Sequence, residues 1–198
     1  LLGQIMKNYK TAIAVSGTHG KTTTTSMFSS VLLAADTDPT ISVGGILEAI
    51  GGNIRVGKSE TFITEACEYT NSFLSFYPTM SIILNIEEDH MDFFKDLDDI
   101  MNSFRLFAKK LPKDGVLIIN KEIKDYEKVT EGLECKVITY GMDSTCTYHA
   151  ENIHFNEQGY GEFDVMHHSV NLGHIVLSVP GQHNVSNALA VIAAARKL

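Results

Sequence analysis

Short, nearly continuous apolar runs alternate along this chain with longer stretches of helical spacing. Thr11 to Val15, Thr61 to Thr64, Met80 to Ile86, Val116 to Ile119 and Lys136 to Tyr140 read as strands buried on both faces. Phe28, Val31, Leu32 and Ala35 recur at i, i+3, i+4 and i+7, predicting a helix that starts near Lys21 and packs this stripe on a sheet. A second helix follows the spacing of Leu97, Ile100, Met101, Phe104, Phe107, Ala108 and Leu111. Asp96 is placed to cap it, Asp98 and Asp99 lie in its first turn, and Pro112 and Gly115 end it. Strand and helix in alternation predict an α/β domain, a mainly parallel sheet flanked by helices. After Thr145 the period changes. Tyr148 to Phe155, Gly161 to Met166 and Val170 to Ser178 alternate in the manner of antiparallel strands, with a turn over Asn156 to Gly161. A small antiparallel β-meander near the C-terminal end is expected, and residues 40–60, rich in glycine, are expected to be partly loop. Leu1 to Met6 resembles the tail of a helix, and Ala188 to Leu198 is a helix without a stop signal. Both ends read as cut.

Directly after the first strand stands Gly17-Thr18-His19-Gly20-Lys21-Thr22-Thr23. Gly17 and Gly20 permit a tight turn that brings backbone N–H groups onto an anion, and the helix beginning near Lys21 adds the positive end of its dipole. Lys21 supplies a compact positive charge for β- and γ-phosphates, and the Thr22 hydroxyl suits a magnesium ion bridging them. The usual G-x-x-x-x-G-K-[ST] loop has glycine where this chain has Val15, so the loop is a shortened form. A glycine-rich turn capping an ordinary helix is the bland alternative. Strand before and helix after favour a phosphate loop in a P-loop NTPase-like sheet.

Composition narrows the partners. The 198 residues suffice for one domain with a sizeable core, and 44% of them are hydrophobic, as in a soluble globular protein. Sixteen basic against twenty-four acidic residues give a net charge of -8, which argues against a nucleic-acid or anionic-membrane surface. A polyanionic ligand must then be held locally, by loop and metal. Cys67, Cys135 and Cys146 lack the spacing of a zinc site or disulfide framework and read as small buried hydrophobes in a reducing compartment. With no membrane-spanning run and no signal-peptide pattern, a cytoplasmic protein is expected.

Three further segments carry candidate chemistry. Glu65 ends the Thr61 to Thr64 run and Glu68 follows in Glu-Ala-Cys-Glu-Tyr. A carboxylate at a strand's carboxyl end faces the crevice where open α/β sheets bind ligands, so Glu65 is a candidate magnesium ligand, with a solvated strand-end acid as the alternative. Asn85-Ile86-Glu87-Glu88-Asp89-His90-Met91-Asp92 places the acids Glu87, Glu88 and Asp89, directly followed by His90, after a buried strand, a natural cation site, although His90 also suits the orientation of a water. In Pro180-Gly181-Gln182-His183-Asn184-Val185-Ser186-Asn187-Ala188, the asparagines Asn184 and Asn187 share a helical face and have amides for a base edge, or serve as caps.

These four motifs, in this order and spanning essentially the whole chain, closely resemble the central domain of the Mur ligases. The His19 form of the loop, Val43-Gly44-Gly45-Ile46 and Glu65 to Tyr69 are most similar to the members that join L-alanine to UDP-N-acetylmuramate. The resemblance implies that residues 1–198 are the ATPase domain of a three-domain cytoplasmic enzyme of peptidoglycan precursor synthesis, lacking its UDP-sugar and C-terminal domains. It implies Gly17 to Thr23 on the phosphates of ATP, Thr22 and Glu65 on one Mg2+, Glu65 and His90 on a second, and Asn184 and Asn187 on the adenine with His183 close by. Lys21, Glu65 and His90 would be the catalytic residues. About fifteen residues after the His90 motif several relatives carry a carbamylated lysine, where this chain has Arg105, which cannot be carbamylated. Rival readings are a murein-tripeptide ligase on the same UDP-sugar, the more remote folylpolyglutamate synthase, a nucleotide-binding switch without ligase chemistry, and a P-loop kinase.

Overall fold

The structure is a computed structural model and describes residues 1–198. Its elements run α1 (Leu2–Met6), β1 (Thr11–Ser16), α2 (Lys21–Ala34), β2 (Thr40–Leu47), β3 (Gly52–Arg55), β4 (Thr61–Glu65), β5 (Met80–Ile83), α3 (Leu97–Ala108), β6 (Val116–Asn120), α4 (Glu127–Thr130), β7 (Lys136–Gly141), β8 (Tyr148–Phe155), β9 (Tyr160–His167), β10 (Val170–Pro180) and α5 (His183–Ala195). All strands belong to one sheet, in the order β10-β9-β8-β7-β6-β5-β1-β4-β2-β3. Neighbours from β8 to β2 are parallel; β2 with β3, β8 with β9 and β9 with β10 are antiparallel. The α/β reading therefore holds.

The central strands are apolar on both sides because both faces are covered. On one face Ile13 and Val15 of β1 share a core with Phe28 and Leu32 of α2 and with Val185 and Leu189 of α5. On the other, Ala12 and Ala14 share a second core with Met6 of α1, Phe104 and Phe107 of α3, and Val129 of α4. There the Phe73 ring stacks on Phe107 at 4.5 Å and meets Phe104 edge-on at 5.3 Å. The cap expected for α3 forms: Asp99 N donates to Asp96 Oδ1 at 2.9 Å, while Lys95 N donates to Asp99 Oδ2 at 3.2 Å. No helix is long and apolar enough to cross a membrane.

Several expectations are corrected. Helix α2 buries Thr24, Thr25, Phe28, Ser29 and Leu32, whereas Val31 is 43% exposed and Ala35 lies past the last turn. The loop fixes the helix's rotation, and Val31 then falls about 90° from the centre of the buried face. Residues 40–60 are partly loop as expected, with Val56 to Glu60 irregular, and the rest is the β2/β3 hairpin, turned by Gly51 at φ 64° and fastened by Arg55, which donates to Pro39 O at 2.7 Å. Strand β5 stops at Ile83; Leu84 and Ile86 stay buried beyond it. Of the cysteines only Cys146 is buried, and Cys67 is exposed. By contrast, the antiparallel meander forms as expected and joins the main sheet, because Tyr140 and Gly141 of β7 pair in parallel with Tyr148 and His149 of β8.

Candidate active site

The turns after β1, β4 and β5 leave the same edge of the sheet, since these strands are parallel and adjacent. Gly17 at φ 141° and Gly20 at φ 83° carry the first of these turns. A Cβ on Gly17 would stand 3.0 Å from Leu84 Cβ, and one on Gly20 would stand 3.2 Å from Asn187 Oδ1, so both positions need glycine for space as well as for φ. The loop is laced to the turn after β5. Thr18 N donates to Asn85 O at 3.2 Å, His19 N to Asn85 Oδ1 at 2.7 Å, and Asn85 Nδ2 returns to His19 O at 3.1 Å. The Thr18 hydroxyl accepts from Glu87 N at 3.0 Å, and the His19 ring is exposed, 3.8 Å from Glu87. With the Thr18 and His19 amides engaged, the N–H groups of Lys21 to Thr23 at the start of α2 are left without a partner inside the helix and are free for an anion.

Lys21 Nζ donates to Gly17 O at 2.5 Å, Thr18 O at 3.2 Å and Glu68 Oε2 at 3.1 Å. Glu68 is only 2% exposed. Sequence reasoning named Glu68 without giving it a part; its signal was the second acid three residues after a strand-end glutamate. Asn85 has no role legible in its motif, yet its side chain holds the loop.

Thr22 Oγ1 donates to Glu65 Oε2 at 3.1 Å, and Gly44 N donates to Glu65 Oε1 at 2.5 Å. This hydroxyl–carboxylate pair is a set of hard oxygen donors, of the partial kind that Mg2+ takes together with phosphate oxygens and water. No three His, Cys, Asp or Glu side chains converge as a cage. The residues present thus fit a magnesium ion held jointly with phosphates.

His90 sits at φ 54° with its ring 4.5 Å from that of Tyr69. Its Nε2 is 3.8 Å from Glu68 Oε1 and its Nδ1 is 3.8 Å from Asp89 Oδ1. The structure therefore sets His90 beside Glu68, while Glu65 is engaged by Thr22 and Gly44. Tyr69 Oη donates to Asp92 Oδ2 at 2.8 Å, and that carboxylate pushes the phenol's pKa up. Arg105 faces elsewhere: its Nη2 lies 3.7 Å from Glu131 Oε2, toward α4 and outside this cluster.

A cleft of about 380 Å³ opens beside the loop, lined by Asn85, Asn120, Glu122, His183 and Asn187 among others. Asn184 does not line it. Its Nδ2 donates to Pro180 O at 2.7 Å and its Oδ1 accepts from Asn187 Nδ2 at 3.0 Å, so the buried Asn184 orients Asn187 from behind. Of the two asparagines, Asn187 alone faces the cleft, and the pair expected to share a base edge is instead a front and a back.

The comparisons with known proteins bear on this arrangement. The Mur ligase middle domain family matches residues 15–195. The chain belongs to the Mur ligase family. A protein of Lachnospira eligens named UDP-N-acetylmuramate--L-alanine ligase is 59% identical over 199 residues, covering 100% of this chain and 43% of the relative. Among solved structures, the UDP-N-acetylmuramate:L-alanyl-gamma-D-glutamyl-meso-diaminopimelate ligase of Neisseria meningitides superposes with a TM-score of 0.85 at 30% identity, covering 97% of this chain and 62% of that one. The UDP-N-acetylmuramate-alanine ligase of Thermotoga maritima does so with a TM-score of 0.82 at 28% identity, covering 98% and 43%. The chain thus spans less than half the length of the curated Mur ligase it matches at 59% identity.

Proposed function

We propose that this chain is the ATP-binding middle part of a cytoplasmic ligase that joins L-alanine to the carboxylate of UDP-N-acetylmuramate. Support comes from the match of the entire chain to a ligase of that name. Within the molecule, the observation that carries the reading is the Thr22–Glu65 pair set at the mouth of a phosphate loop.

A free carboxylate is a poor acylating agent. In the proposed reaction its oxygen attacks the γ-phosphorus of ATP, forming a new P–O bond as the bond to the β-phosphate oxygen breaks and ADP leaves. The amine of L-alanine then attacks the acyl carbon of this acyl phosphate, inorganic phosphate departs, and the ammonium formed loses a proton. Amides at the start of α2 and the Lys21 ammonium bind the phosphates and line up two anions that repel each other in water. Thr22 and Glu65 are the residues that would hold Mg2+, with His90 nearby beside Glu68; the ion would supply charge neutralisation on the phosphates. His183 and Asn187 line the base cleft. The parts of the enzyme beyond this chain would supply the UDP-sugar and amino-acid contacts, so the isolated 198-residue chain is expected to ligate almost nothing.

The likeness to the Neisseria meningitides structure favours one second reading, in which the amine belongs to a murein tripeptide. One experiment separates the two. The full-length protein, given ATP, Mg2+ and UDP-N-acetylmuramate, is offered L-alanine or tripeptide, and the UDP-linked product is identified by mass. Product with L-alanine supports the proposal; product with tripeptide alone replaces it, and ATP hydrolysis without either product sinks both.

A further inference from the structure

We propose that Glu68 is a positioning residue that takes the Lys21 ammonium while the phosphate loop is empty and fixes the His90 imidazole once nucleotide is bound. The proposal rests on the nucleotide reading above.

A carboxylate buried to this degree needs a positive or hydrogen-bonding partner. Glu68 has one in Lys21, whose Nζ lies 3.1 Å from Oε2 and 3.4 Å from Oε1. That ammonium has three protons, and Gly17 O, Thr18 O and Glu68 take all of them. To reach a phosphate, Lys21 must give up at least one. The two carbonyls belong to the loop itself, whereas Glu68 stands across the crevice on the turn after β4 and is an anion competing with the phosphate for the same charge. Glu68 is the contact that nucleotide displaces.

The released carboxylate has a second partner in place. His90 Nε2 is 3.8 Å from Glu68 Oε1, so a movement of about 0.8 Å makes a hydrogen bond. Other groups restrict the ring. Tyr69 covers one side of it, Asp89 Oδ1 faces Nδ1 and also accepts from His90 N at 2.7 Å. With Glu68 facing Nε2 and Asp89 facing Nδ1, carboxylates at both nitrogens fix the plane of the ring, as carboxylates orient histidines in metal sites. Because one carboxylate serves both partners, nucleotide entry and the setting of His90 become a single event. Glu68 touches neither reacting atom and acts through its two neighbours.

The test is Glu68→Gln in the full-length protein, read by affinity for a non-hydrolysable Mg-ATP analogue and by kcat for ligation. Removing the competing charge should tighten analogue binding about three- to tenfold, while the loosened His90 lowers kcat about tenfold or more. A merely structural role would weaken both together, and unchanged or weaker analogue binding overturns the proposal. In a Lys21→Met background the gain should vanish, and a full gain there overturns it as well. Should Glu68→Gln fail to fold, the unsubstituted protein still decides. The His90 ring signals, followed by NMR on addition of ADP with EDTA present, should move without metal, and unmoved signals refute the coupling. If the unsubstituted protein binds no Mg-ATP analogue, the nucleotide reading itself has failed; if it binds and Glu68→Gln binds no tighter, only this proposal has.

Discussion

Glu65 is held at both oxygens, by the Thr22 hydroxyl at 3.1 Å and by the Gly44 amide at 2.5 Å. Three separate segments, the start of α2, the end of β4 and the middle of β2, therefore fix one carboxylate beside the phosphate loop. A Cβ on Gly44 would lie 2.9 Å from Glu65 Oε2. Gly44→Ala should leave the fold within about 1 kcal/mol of the parent, since only the end of a side chain has to move. It should raise the Mg2+ concentration needed for half-maximal nucleotide binding several-fold. Calorimetric titration with Mg2+ and thermal melting check the two halves.

Lys21→Met should cost stability as well as nucleotide. Taking away the ammonium leaves Glu68 charged and buried, and breaking one side of a buried ion pair costs about 3 kcal/mol. The double variant Lys21→Met, Glu68→Gln should recover most of that stability loss and bind nucleotide no more tightly than Lys21→Met alone. Urea denaturation of the two variants and the parent measures it; equal stability of the single and double variants would refute the account.

Asn85→Ala removes the two side-chain bonds that lace Asn85 to the His19 backbone. At about 1 kcal/mol each, the expected loss is about 2 kcal/mol of loop order. Nucleotide affinity should fall about tenfold while the far-UV spectrum stays that of the parent. Amide exchange at His19 should accelerate, and an unchanged exchange rate contradicts this.

At the far hairpin the Arg55 guanidinium, pairing with Asp38, and the Lys58 N–H hold the Asp38 carboxyl below its usual 3.8. A carboxylate depressed in the folded state contributes stability that is complete above its unfolded pKa and is lost as pH falls through the folded one. Arg55→Met should raise the Asp38 pKa in an NMR titration. It should also flatten the acid limb of stability below about pH 4, where the parent loses this contribution.

Much of this protein was legible one residue at a time. The strands of the central sheet, the capped α3, the meander and the glycine loop are written in local period and local chemistry: apolar runs, an aspartate before a stripe, glycines where φ is positive. Tertiary structure decided the rest. Whether Val31 or Thr25 faces the sheet depends on how the loop sets the rotation of α2, and no periodicity carries that. Local sequence likewise does not tell that Asn184 stands behind Asn187, that Arg105 turns to Glu131, or that Glu68 is buried between Lys21 and His90. Each of these is a contact between segments brought together by parallel strand order. The sequence by itself determined which chemical groups the crevice would have; only the packing of β1, β4 and β5 side by side decided which of them share a partner.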